Sequence, residues 1–199
     1  MWKAIKINTP VIYMGLTWGA AELVLGYFLH MLKAPLTGSL LMPIGIICMI
    51  SAYLKTGSRR ATVFTSVIAA SLKLVTILIV PVSSFYLVVN PVVAILLEGV
   101  VLVMPITLIN KRVFRKMTHN MLLSFASICI GIFFYKICFL SFQILLKAGT
   151  GAPALGTLSV QDNFSFLISQ TLISAFLVMV YLILYVKITV SPVMKKTFN

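Results

Sequence analysis

Apolar residues run along this chain in six long blocks, separated by short polar or proline-containing stretches. The blocks fall at about residues 10–30, 38–54, 60–81, 85–109, 121–146 and 162–187. Inside them the apolar residues do not alternate with polar ones. Val92 to Leu97 and Val100 to Met104 are continuous, unlike the two-residue period of a membrane β-barrel. A hydrocarbon layer of ~30 Å takes about 20 helical residues, and each block approaches that length. The pattern therefore predicts an all-α polytopic membrane protein: a six-helix transmembrane bundle forming a single domain over residues 1–199.

The few polar positions inside the blocks are ordered. Gly15, Gly19, Glu22, Gly26 and His30 follow at intervals of three or four, so they share one face of the first helix. Gly15 and Gly19 form a small-xxx-small pair, which admits a second helix at close range and marks a helix-docking position. Ser66, Ala69, Ala70, Lys73 and Thr76 give the third block a small and polar face, and Pro81 ends it. Asn90, Ala94 and Glu98 recur every four residues in the fourth block. The fifth holds Gly131, Tyr135 and Lys136, and the sixth is lined by Ser165, Ser169 and Gln170.

The boundaries are set by proline and glycine. Residues 30–39 read as an external loop, with Pro35 closing the first helix. The second block is short and carries Pro43 and Gly45 near its outer end, which allows a partly re-entrant segment. Asn90-Pro91 reads as an N-cap followed by proline at the first helical position. On that reading, residues 82–89 form an apolar, broken piece at the outer surface. The stretch 147–156 is rich in glycine and reads as a flap or a connector.

Composition agrees with the pattern: 61% of residues are hydrophobic, only 10% are charged, and mean hydropathy is +1.12. The net charge of +13 would fit nucleic acid if it were spread over a surface, but its placement is segregated. Lys3, Lys6, Lys55, Arg59, Arg60, Lys111, Arg112, Arg115, Lys116, Lys187, Lys195 and Lys196 all fall in connections on one side. Lys33 and Lys147 fall on the other. The positive-inside rule then places both termini in the cytoplasm and makes anionic lipid, not nucleic acid, the partner of the basic loops. The expected location is the cell (inner or plasma) membrane of a prokaryote.

The candidate chemistry is sparse. Cys48, Cys129 and Cys138 lie within blocks, with neither CxxC spacing nor a nearby histidine, so neither a metal nor a disulfide is expected. HExxH, GxSxG, Walker A and paired-aspartate motifs are all missing, and Asp162 is the only aspartate. No catalytic residue and no cofactor is predicted, and His119 reads as a solvated loop residue. What stands out is buried charge. Counting ~1.5 Å per residue from the block ends puts Glu22, Lys73 and Glu98 at similar depth, near the midplane. Charges there are costly unless paired, neutralised or hydrated. Lys73 is expected to bridge or alternate between Glu22 and Glu98. The surplus carboxyl would then be held neutral, pair with Lys136, or meet a cationic group of a ligand.

The residues Trp18-Gly19-Ala20-Ala21-Glu22, Leu25 to His30, Lys33 to Gly38 and Asn90 to Gly99 carry a resemblance. Together with six blocks and about 200 residues, they are similar to the substrate-binding (S) components of energy-coupling factor transporters, or to six-span membrane proteins related to them. The resemblance covers most of residues 10–110. It implies a membrane subunit that captures a vitamin-like small molecule from outside, in a cavity beneath the external loops. It further implies docking on a transmembrane coupling subunit driven by ATPases, through small residues of the first helix such as Gly15 and Gly19. Metal cargo is not implied, since Trp2 stands where the cobalt and nickel branch has an N-terminal histidine. On this expectation Glu22, Lys73, Glu98, Asn90 and His30 are the ligand-binding or charge-network residues. Two other readings stay open: an intramembrane enzyme acting on a lipid or isoprenoid, and a non-catalytic membrane assembly protein.

Overall fold

A computed structural model describes residues 8–32, 37–75, 86–108, 117–150 and 167–184. Those residues are helical throughout apart from short turns, with no strand among them. In chain order the helices are α1 (Thr9–Met31), α2 (Thr37–Thr56), α3 (Arg60–Leu74), α4 (Tyr86–Val101), α5 (Val103–Leu108), α6 (Met117–Thr150) and α7 (Leu167–Leu184). Among the described residues, four stretches are long and apolar enough to cross a membrane: Thr9–Leu29, Val89–Leu108, Leu122–Leu146 and Leu167–Leu184. Leu40–Thr56 is a shorter apolar helix.

Local chemistry explains several ends. The Asn8 carbonyl receives the amides of Val11 and Ile12 and starts α1. Gly57, at φ +70°, closes α2 by donating its N–H to Tyr53 O at 2.7 Å, an ending that suits a residue without Cβ. Only residues 57–59 join α2 to α3, so the two are antiparallel neighbours. Between α4 and α5 the break falls at Leu102 because Pro105 has no N–H for the Val101 carbonyl. The ladder resumes around it, with Leu102 N donating to Glu98 O at 3.1 Å and Ile106 N to Leu102 O at 3.0 Å.

Three boundary expectations are corrected. α4 begins at Tyr86, so Asn90 is no N-cap and Pro91 lies inside a helix. Residues 86–89 are helical, while 82–85 lie outside the described residues. Pro43 likewise sits within an uninterrupted α2, which opens at Thr37 and takes in the end of the expected 30–39 loop. α6 continues to Thr150, absorbing the first residues of the expected flap. The third block is described as helix only to Leu74, and residues 76–85 lie outside the description, as do both termini and 151–166.

The burial pattern is inverted relative to a water-soluble protein. Leu122, Leu145, Phe176, Tyr13, Val24 and Phe28 are exposed, whereas Glu22, Lys73, Glu98, Lys136, Gln143 and Gln170 are buried. In water, charged side chains are almost never fully buried and large apolar ones generally are. Here the exterior suits hydrocarbon, and the interior collects polar groups. α2 occupies the centre. Leu41, Met42, Ile46, Cys48, Met49, Ile50 and Ala52 are buried on all its sides, packed among α1, α3, α4 and α5. α2 and α7 share the apolar core, and Ser51 Oγ hydrogen-bonds Tyr181 Oη at 2.9 Å.

Candidate functional site

The glycine stripe of α1 is the seam with α3. A Cβ at Gly15 would stand 2.7 Å from Ile68 Cβ and 3.0 Å from Thr65 O; one at Gly19 would stand 2.8 Å from Leu72 Cδ2 and 3.3 Å from Ala69 Cα. These glycines therefore let α3 approach α1 within the chain, and their face is not offered to a second subunit. One turn further along the same seam the charges begin. Lys73 Nζ donates to the backbone oxygen of Glu22 at 2.9 Å. Gly26 leaves room for both heads, since a Cβ there would lie 3.4 Å from Lys73 Nζ and 4.0 Å from Glu22 Oε2.

Glu98 is placed by a second close approach. α4 presses on α3 where a Cβ at Gly99 would overlap Ser66 Oγ and Cβ, and this turns the adjacent Glu98 toward α2. Its carboxylate lies in a notch at Gly45. A Cβ there would stand 2.7 Å from Glu98 Oε1 and 2.5 Å from both Cε2 and Cζ2 of Trp18. Glu98 is 4% exposed and Trp18 0%. Glu98 Oε1 is buried without a hydrogen-bond partner, while the Trp18 indole N–H is directed towards the Glu22 carboxyl. Leaving buried polar atoms unpaired costs about 1–3 kcal/mol each, more for a charged group, so this arrangement calls for an explanation.

Lys73, expected to bridge or alternate between Glu22 and Glu98, is placed against Glu22. Lys73 interacts with Glu22, and Glu98 interacts with Lys136 of α6 and with Glu22. The Lys136 ammonium is fixed by Gln170 of α7, donating to its Oε1 at 2.7 Å. The interior thus carries two carboxyl and two ammonium groups. Each lysine is hydrogen-bonded to a neutral oxygen, and among the described residues no direct ion pair joins a lysine to a carboxylate. Tyr135, beside Lys136, lines the same region and stacks on Phe139 at 6.2 Å.

Of the remaining candidates, Asn90 lies two turns before Glu98, and its Oδ1 is buried without a partner. His30 is placed one residue before the end of α1. Gln143 was not among the sequence candidates, yet it is 1% exposed and both of its amide atoms lack partners. Its signal in the sequence is the seven-residue step from Lys136, two turns along one face. Trp18 carries a similar signal, four residues before Glu22. Gly45 carries none, because its role depends on what α4 brings to it. The other buried hydroxyls of α3 are satisfied locally: Thr62, Thr65 and Ser66 donate to the carbonyls of Arg59, Ala61 and Val63. Among the described residues no group of three histidine, cysteine or acidic side chains is placed to hold a metal ion.

Comparisons with protein families, with curated proteins and with solved structures found no match. The functional reading therefore rests on the chain's own geometry and on the resemblance of its motifs.

Proposed function

We propose that the chain is a membrane subunit that binds a small molecule inside its helix bundle for uptake, in the manner of the S component of an energy-coupling factor transporter. In this reading it spans the cell membrane of a prokaryote six times with both termini inside, and passes its ligand on with the help of a coupling subunit and ATPases. The supporting observation is Glu98. Its carboxylate is buried in an apolar bundle, and its Oε1 lacks a hydrogen-bond donor while the Lys136 ammonium is given to Gln170. A bound molecule that supplies the donor resolves that cost. A purely architectural role fits less well, because a pair that fixes helix register would join lysine to carboxylate directly. Since α3 covers Gly15 and Gly19, any coupling subunit docks elsewhere.

The reading is tested by purifying the full chain from its native membrane with and without co-expressed coupling components, followed by native mass spectrometry. A mass increment that Glu98→Gln abolishes while the fold survives is the expected result. A wild-type chain that carries no small molecule, and gains none from cell extract, would sink the proposal.

A further inference from the structure

Two points set the register of α6, which runs antiparallel to α4 and α5. A Cβ at Gly131 would press on Pro105 and Leu102, and five residues later Lys136 reaches the field of Glu98, so numbers rise on α6 as they fall on α4. Seven more residues along α6 stands Gln143, and seven back from Glu98 stands Pro91, next to Asn90. By this residue count the buried Gln143 amide, without partners, and the unpartnered Asn90 Oδ1 fall at a similar level on neighbouring helices, about 10 Å along the bundle from the Glu98–Lys136 level at ~1.5 Å per residue. Pro91 adds an acceptor, since it leaves the Leu87 carbonyl without its intrahelical donor. Towards the opposite end of α3, Thr62, Thr65 and Ser66 are all satisfied. The unmet hydrogen-bonding capacity is thus one-sided.

Charge narrows what fits. A cation alone would meet Glu98 and be opposed by Lys136; an anion alone would meet Lys136 and be opposed by Glu98. A molecule carrying both charges answers each, and its presence would account for why the two side chains stand in one region unpaired. We propose that the site takes a zwitterion of the α-amino-acid type, its ammonium on Glu98 Oε1 and its carboxylate on Lys136, with a polar uncharged side chain directed to Asn90 and Gln143. Gln170 holds the Lys136 head in place, and Tyr135 forms part of the wall. This inference rests on the small-molecule reading above and specifies its substrate class.

The test uses the full-length protein in detergent with L-serine, L-asparagine and L-glutamine as probes, each compared with its N-acetyl and its C-terminal amide derivative. Thermal unfolding and equilibrium dialysis report binding. At least one free amino acid is expected to bind and to raise Tm, and neither derivative should, because each lacks one of the two charges. Glu98→Gln and Lys136→Met are expected to weaken binding about tenfold or more, the size of one lost charge-assisted hydrogen bond. Lys136→Arg, which keeps the charge, retains binding and guards against a folding artefact. Gln143→Leu is expected to weaken glutamine binding relative to serine. Equal binding of the derivatives, or no binding of any probe, overturns the proposal. If the purified protein carries a small molecule that no zwitterion displaces, the substrate class fails while the binding-subunit reading stands. If it carries none and binds none, both fail.

Discussion

At the scale of single residues, the bundle is organised by where a side chain is missing. Gly99 is the tightest of these positions, because a methyl there would overlap Ser66 on the facing helix. Gly99→Ala is expected to lower stability by about 1–3 kcal/mol, the usual range for overpacking a well-packed contact. Chemical or thermal unfolding in detergent measures this, and adding Ser66→Gly should recover part of the loss. Gly149 is the internal control: nothing lies within 4 Å of its would-be Cβ, and it sits in the last turn of α6. Gly149→Ala is expected to be neutral or to stabilise by up to about 1 kcal/mol through helix propensity. A loss at Gly149 as large as at Gly99 would contradict the packing account.

At the scale of elements, the decisive contact is between α1 and α3. Gly15 and Gly19 bring the two backbones together, and Lys73 then ties α3 to the Glu22 carbonyl at 2.9 Å. Lys73 also compensates the nearby Glu22 carboxyl electrostatically. Removing one member of such a buried pair leaves an uncompensated group, whereas removing both does not. Lys73→Met alone should therefore lower Tm clearly, and Glu22→Gln/Lys73→Met should regain most of it. A coupling energy of about 0.5–3 kcal/mol is expected from the double-mutant cycle. Additive effects would show that the two side chains act independently. The break between α4 and α5 is another property of elements. Pro105 creates it, and Gly131 on α6 makes room for the Pro105 ring and the Leu102 side chain.

At the scale of the whole molecule, an apolar exterior over a core that encloses the few charged and amide groups is what a hydrocarbon solvent selects. The proposed orientation predicts opposite labelling of two exposed positions. With Cys48, Cys129 and Cys138 replaced by serine or alanine, Ser58→Cys in the α2–α3 connection should react with an impermeant thiol reagent only after the membrane is opened. Gly149→Cys, at the far end of α6, should react in intact cells. The reverse result would invert the topology, and with it the side from which the one-sided polar region is reached.

The sequence by itself determined the helical architecture, the apolar surface and the face on which each buried charge lies, because these depend on local composition and a 3.6-residue period. Glu22, Lys73 and Glu98 were legible as costly interior groups for the same reason. The Asn90-Pro91 start was misread, since proline inside a helix and proline at its first turn look alike until the preceding turn is seen to be helical. Only the tertiary structure decided which ammonium lies in the field of which carboxyl, Lys73 by Glu22 and Lys136 by Glu98, without a direct ion pair in either case. It also decided that the α1 glycines serve α3, and that Gly45, Trp18 and Gln143 belong to the same interior as the charges. Those pairings depend on the order, rotation and separation of helices far apart in the chain, and no local pattern encodes them.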